Sequence, residues 1–345
     1  MFFTASTLGV IAGATLGGQL SDRFGRRRVL LPSLVLFGLF SIATGFAGDF
    51  VSLTVARFLT GLVSGAALPN LIALVAEHSP PDRRNGAVTA LYAGLPLGAA
   101  LAGLAGGMAA PWQGLFFVGG AAPLALIPIF RLVRADLAAA PARERQAGFA
   151  AALVAEGRLI PSLLLWAGFF LALVTTRTLV SWLPLLMIGR GLARADAALL
   201  QTAFQLGAVA GSLVTGQVMD LRRHRVGLLT ALFGGAALML ALTAVAPVSP
   251  ILSLCVGGLL GMTVIGSQSA LYGLAPSLYP ASLRGTGVGV GLGFGRLGSV
   301  AGPLLTAQLL SLGWSPAGIL QASVPLFALC GLFTILLARR PPIPA

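Results

Sequence analysis

Charge is what this sequence has least of. Only 9% of its 345 residues are Asp, Glu, Lys or Arg, where an average soluble domain carries about 25%. With 57% of the residues apolar, a compact soluble fold could not supply the polar shell it needs. A soluble enzyme, a DNA-binding domain, a disordered tail and a secreted disulfide scaffold are excluded as first readings. Lysine is missing altogether, so all 22 cations are arginine. No Gly-x4-Gly-Lys phosphate loop can exist without it, which argues against a nucleotide-driven pump. Histidine and cysteine are nearly missing: His78 and His224, and Cys255 and Cys330, are too scattered for metal-ligand spacing. Both cysteines lie in apolar runs and read as core residues. No cofactor, no metal and no enzymatic site are expected. No basic leader precedes the first apolar stretch, so no cleavable signal peptide is expected either.

What is present is a series of long charge-poor runs. A helix crosses the hydrocarbon in about 20 residues. On that measure the spans fall at 1–21, 29–48, 58–76, two within 85–130, 159–189, 197–219, two within 226–283 and two within 285–338. The breaks inside the long runs come at Pro111-Trp112-Gln113, Pro247-Val248-Ser249-Pro250 and Gly313-Trp314-Ser315-Pro316. The fold class predicted is therefore an all-α polytopic membrane protein with eleven transmembrane helices. Alternating the direction of these spans puts 17 of the 22 arginines on one side and only Arg190 and Arg194 on the other. By the positive-inside rule the arginine-rich side is cytoplasmic, and it includes the C-terminus. The net charge of +13 then needs no nucleic acid, and none is expected as a partner; the partner is the lipid bilayer.

Residues 135–160 form the only long polar stretch and read as a cytoplasmic linker between an N-terminal helical half, 1–134, and a C-terminal half, 161–345. The halves resemble each other. Gly18-Gln19-Leu20-Ser21-Asp22 before Arg23, Arg26, Arg27 and Arg28 matches Gly216-Gln217-Val218-Met219-Asp220 before Arg222, Arg223 and Arg225 at an offset of 198. Arg84 matches Arg284 and Gly98 matches Gly298 at an offset of 200. This is a parallel internal repeat. The span starting near Pro161 has no counterpart after Met1, so the expectation is a six-plus-six design of which five plus six helices are here.

The run Gly18-Gln19-Leu20-Ser21-Asp22-Arg23-Phe24-Gly25-Arg26-Arg27-Arg28 resembles the signature loop of the major facilitator superfamily. Arg57-Phe58-Leu59-Thr60-Gly61, Ala67-Leu68-Pro69-Asn70, Glu77, Trp182-Leu183-Pro184, Gln268 with Tyr272 before Pro276, Arg284-Gly285-Thr286-Gly287, and Gly295-Arg296-Leu297-Gly298 before Gly302-Pro303 resemble its aromatic acid:proton symporter branch. Within that branch they resemble the 3-(3-hydroxyphenyl)propionate transporters. The resemblance implies two pseudo-symmetric helical halves. It also implies proton-coupled import of an aromatic carboxylate across the inner membrane by alternating access, and a monomer is expected. Three features depart from the pattern. Ser181 stands where the branch usually has Asn, and Arg177 is no part of it. The branch usually carries an Asp-containing motif in its first helix, for which this chain has no residue. A drug:proton antiporter of the same superfamily, or a non-transporting remnant, are the rival readings.

The intramembrane arginines are the strongest evidence read from the residues themselves. A charge in hydrocarbon costs about 2.5–3.5 kcal/mol or more, so it should face a cavity or a partner. Arg296, on a glycine-rich helix, is the candidate ligand for a substrate carboxylate, which a guanidinium holds bidentately. A structural ion pair is the alternative. Arg177 is a second candidate for the same role. Arg57 is assigned to proton coupling or carboxylate guidance, or else it snorkels to the outer interface. Asn70, Gln268 and Tyr272 could hydrogen-bond a phenol or carboxylate, or equally another helix. Phe204, Trp182 and Phe294 could stack on an aromatic substrate or simply fill the core. On the cytoplasmic side, Asp22 could cap a neighbouring helix N-terminus, with Arg284-Gly285 as target, and so act as a latch. Gly25 permits a tight turn there. Arg23, Arg26, Glu77, Asp220 and Arg284 belong to the same gate or are solvated helix ends.

Overall fold

A bilayer offers no hydrogen bonds to a bare peptide group, so a chain this apolar must satisfy its backbone internally, as helices do. The computed structural model describes residues 2–24, 26–80, 83–107, 111–132, 159–220, 225–279 and 284–339. Among these there are eleven α-helices: α1 (Phe2–Phe24), α2 (Arg26–Gly45), α3 (Phe50–His78), α4 (Arg84–Gly107), α5 (Trp112–Leu132), α6 (Leu159–Gly189), α7 (Arg194–Asp220), α8 (Arg225–Val245), α9 (Pro250–Leu274), α10 (Arg284–Ser311) and α11 (Pro316–Ala338). A short 3-10 turn, Ala275–Leu278, follows α9. Each helix coincides with an expected span. Among the described residues eight of them are long and apolar enough to cross a membrane, while α1 and α5 hold shorter apolar stretches, Ala5–Ala14 and Trp112–Pro128. The linker expected at 135–160 lies outside the described residues, apart from the first two residues of α6, Leu159 and Ile160.

Helix α3 begins earlier than its charge-free window suggested. Asp49 accepts the Ser52 backbone N–H at 2.8 Å, and the Ser52 side chain faces back to the Asp49 N–H in a capping box. The helix therefore starts at Phe50, and Arg57 lies two turns inside it rather than at its edge. Hydroxyls within the helices are satisfied the same local way. Thr44, Thr60, Ser267, Ser323 and Thr334 each donate to the carbonyl four residues earlier.

The helices group into two compact units. One holds Met1–Ser79 and Leu104–Arg145; the other holds Pro80–Gly103 and Gln146–Ala345. In the first, α1 packs on α3 with backbones in contact. A Cβ added at Gly9 would collide with the carbonyl of Phe58, one at Gly13 with that of Leu62, and one at Gly61 with that of Ser6. In the second unit α7 packs on α9 in the same way: Gly207 against the Gly258 carbonyl, Gly211 against Met262, Gly261 against Phe204. Adding 198 to the α1 residues and 200 to the α3 residues converts one set of contacts into the other. The repeat read from the loops therefore extends to individual packing contacts. Small residues let such helices approach to van der Waals distance, where dispersion replaces the missing hydrophobic drive. Phe204, considered as a stacking residue for substrate, is fully buried in this second-unit core. Helix α10 meets α6 through Gly298 and Gly302, which lie against the carbonyls of Phe170 and Val174.

Proline inside a helix leaves the carbonyl four residues back without its partner. Pro184 does this to Val180 in α6, and the Nε2 of Gln201 on α7 donates to that carbonyl at 3.3 Å. Replacing Gln201 with leucine should lower stability by about 1–3 kcal/mol, the cost of orphaning a buried acceptor. Thermal unfolding in detergent reads this, and an unchanged midpoint would show that the carbonyl is satisfied by another route.

Arg190, one of only two arginines assigned to the outer side, has its charge engaged. Its guanidinium donates to the carbonyls of Thr243 and, at 2.8 Å, of Ala246, at the C-terminal end of α8. Those carbonyls are the negative end of a helix dipole.

Candidate functional site

Four candidates from the sequence meet in the second unit. Gln268 and Tyr272 lie one turn apart on α9, and Gln268 Nε2 donates to the Tyr272 hydroxyl at 3.0 Å. Phe169 of α6 leans on the Tyr272 ring at 5.3 Å between centroids. Tyr92 of α4 stacks on the Tyr272 ring nearly parallel, with centroids 4.7 Å apart and planes at 10°. Arg296 of α10 is within Coulombic reach of Tyr92, and Arg177 of α6 is within Coulombic reach of both Arg296 and Tyr272. Aromatic rings and two guanidinium groups thus share one locality.

The helices place these groups for physical reasons. Arg296 lies twelve residues into α10, about 18 Å along its axis at 1.5 Å per residue, which is the interior of a bilayer. On one side of it Gly291, Gly295, Gly298 and Gly302 recur at helical spacing and press α10 against Phe169, Phe170 and Val174 of α6. Phe294 packs against Trp166 and Phe170, with centroids at 6.1 and 5.8 Å, so it is part of the α6–α10 seam. Arg177 is exposed although Thr175, Thr176 and Thr178 around it are buried. No carboxylate ion pair is found for Arg177 or Arg296 among the described residues, and the acids placed there, Asp22, Asp49, Glu77, Asp196 and Asp220, all lie at helix ends. Two like charges with no acid beside them repel each other and attract an anion.

The other candidates fall elsewhere. Asn70, on α3 of the first unit, is buried and donates its amide to the Ala66 carbonyl of its own helix at 2.8 Å. Arg57, also in the first unit, holds its guanidinium 5.4 Å over the ring of Phe116 on α5. A cation–π contact of this kind stabilises a desolvated charge without an acid. Asp220 ends α7 and accepts the backbone N–H of Gly86 in the first turn of α4 at 2.9 Å. A carboxylate at a helix N-terminus is favoured by the dipole as well as the hydrogen bond. Next to it a Cβ at Gly216 would overlap the Thr89 hydroxyl. This is the geometry expected of Asp22, carried out by its counterpart in the repeat. Gly25 and the side chains of Asp22, Arg23, Arg26, Glu77 and Arg284 lie outside the described residues.

Tyr92 and Phe169 had not been singled out from the sequence. The chain has only three tyrosines, and two of them stack on each other. The rarity of tyrosine within spans was the available signal, but nothing local pairs residue 92 with residue 272.

Comparison with known proteins speaks to the family. The description of the Major Facilitator Superfamily fits residues 1–303 and again residues 165–345. The chain is 42% identical to the 3-(3-hydroxy-phenyl)propionate transporter of Escherichia coli (strain K12) over 340 residues, 98% of this chain and 84% of that protein. It is 34% identical to the 4-hydroxybenzoate transporter PcaK of Pseudomonas aeruginosa, over 93% of this chain and 80% of that protein. It is 32% identical to the gallate transporter of Pseudomonas putida, over 90% of this chain and 76% of that protein. With its internal repeat, its helices and these relatives all in agreement, the chain belongs to the major facilitator superfamily.

Proposed function

We propose that this multi-pass inner-membrane protein is a secondary transporter that imports an aromatic carboxylate, of the 3-hydroxyphenylpropionate or hydroxybenzoate type, together with a proton. The observation that carries the reading is that Arg177 and Arg296, which have no acidic partner among the described residues, interact electrostatically with each other and with the Tyr92–Tyr272 pair, on which Phe169 leans. Arg296 holds the carboxylate, and Arg177 adds a second positive charge. The tyrosines and Phe169 offer ring faces and edges to the aromatic body of the substrate. Gln268 and Tyr272 supply the neutral hydrogen-bonding groups. A bound anion offsets the cost of keeping two guanidiniums in the membrane interior. The relatives named for hydroxyphenylpropionate, hydroxybenzoate and gallate support this substrate class.

Energy for accumulation comes from an ion gradient, and a proton is the simplest ion. Arg57 serves coupling or substrate guidance. Asp220, hydrogen-bonded to the first turn of α4, supports a latch at the cytoplasmic helix ends. By the repeat the same role passes to Asp22, and Arg23, Gly25, Arg26, Glu77 and Arg284 are assigned to the same gate. The transporter works as a monomer, with its linker and C-terminus in the cytoplasm.

Uptake of labelled 3-(3-hydroxyphenyl)propionate into membrane vesicles tests this. The expected result is saturable accumulation that collapses when a protonophore removes the gradient. Accumulation indifferent to the protonophore would sink proton symport. Uptake no greater than that of vesicles lacking the protein would sink the aromatic carboxylate reading.

A further inference from the structure

Resting on the aromatic carboxylate reading, we propose that Gln268 is the selector for a hydroxyl group on the substrate ring. Its amide carries one engaged end and one idle end. Nε2 donates to the Tyr272 hydroxyl at 3.0 Å. Oε1 is buried and has no hydrogen-bond partner among the described residues. A buried carbonyl oxygen left without a donor is costly, so the site gains when something supplies one.

The chemistry of the missing partner follows from the surroundings. Tyr272, which fixes the amide, is itself in contact with the rings of Tyr92 and Phe169. A group that reaches Oε1 is therefore attached to a body that tolerates aromatic neighbours. A carboxylate accepts hydrogen bonds only and cannot satisfy Oε1. A phenolic hydroxyl is donor and acceptor together, so it satisfies the amide in either of its two orientations. The two ends of a hydroxylated aromatic acid are thus sorted. The carboxylate goes to guanidinium, and the hydroxyl goes to the amide.

Gln201 provides the contrast. Its Oε1 is also buried without a partner, but its Nε2 is engaged with the Val180 carbonyl beside a proline. That amide repairs a helix. Gln268 repairs nothing in the backbone, since its bond runs to another side chain.

The test is a ratio of initial uptake rates, 3-(3-hydroxyphenyl)propionate over 3-phenylpropionate, in vesicles holding the full chain. The native protein should favour the hydroxylated acid about tenfold to a hundredfold, since leaving a buried polar group unpaired penalises the analogue. Gln268→Leu should bring the ratio to about one. Tyr272→Phe, which removes the hydroxyl that anchors the amide, should lower it by a smaller factor. The ratio is read within each variant, so a change in the amount of folded protein cannot imitate the result. A native ratio near one, or a high ratio that Gln268→Leu leaves intact, overturns the assignment while the transport reading stands. Uptake of neither acid by the native protein overturns both.

Discussion

Replacing Arg296 with glutamine is expected to lower uptake of an aromatic carboxylate about 30-fold to more than 1,000-fold, the equivalent of ~2–5 kcal/mol for truncating one partner of a desolvated charge pair. The size follows from the surroundings of the group. Among the described residues no acid pairs with Arg296, so on the proposed reading the substrate anion is its countercharge. Arg296→Lys retains the charge but loses the fork that grips two oxygens at once, and should fall in between. Arg177→Gln should cost less, because Arg296 remains. Initial uptake rates, normalised to the protein present in the membrane, read all three. Wild-type rates in Arg296→Gln would remove the substrate role of this arginine.

The largest expected loss of stability lies in a helix seam. At Gly211 a Cβ would overlap the carbonyl oxygen of Met262, a backbone atom that has no rotamer to escape into. Gly211→Ala therefore has to push α7 away from α9 along the whole seam, at a cost of about 3 kcal/mol or more. The same substitution at Gly234, in the interior of α8 with nothing within 4 Å of the added atom, should instead stabilise by about 0.5–1 kcal/mol through helix propensity. Thermal unfolding of the detergent-solubilised variants gives the two signs directly. A midpoint for Gly211→Ala equal to that of the native protein would mean that the α7–α9 contact is looser than described.

Helix existence was legible from the sequence because a bilayer leaves few ways to hide backbone. Boundaries were less so. The window that located α3 began after Arg57, since charge was the criterion, whereas the Asp49–Ser52 cap sets the true start at Phe50. The repeat was visible in loops, where arginines and aspartates are distinctive. The matching glycine contacts of α1–α3 and α7–α9 were hidden among the 46 glycines of the chain. For the candidate site, arginines in apolar runs stood out because of their cost. Tyr92 did not: tyrosine is rare in this chain, but nothing in the sequence pairs residue 92 with residue 272. Asn70 looked equal to Gln268 in the sequence. Only the fold separates an amide turned onto its own helix from one with an idle carbonyl beside aromatic rings.

The glycine seams constrain where motion can occur. Where main chains touch directly, sliding by even a fraction of an ångström meets atoms that cannot turn aside, so each seamed pair moves as a single rod. The Tyr92–Tyr272 stack and the Asp220 carboxylate on the Gly86 amide are of the opposite kind. Each is held by a side chain on at least one of its partners, and a few torsions can undo it. Any cycle of opening and closing must then exercise such detachable clasps and leave the rods intact, much as a hinge wears at its pins and not along its leaves.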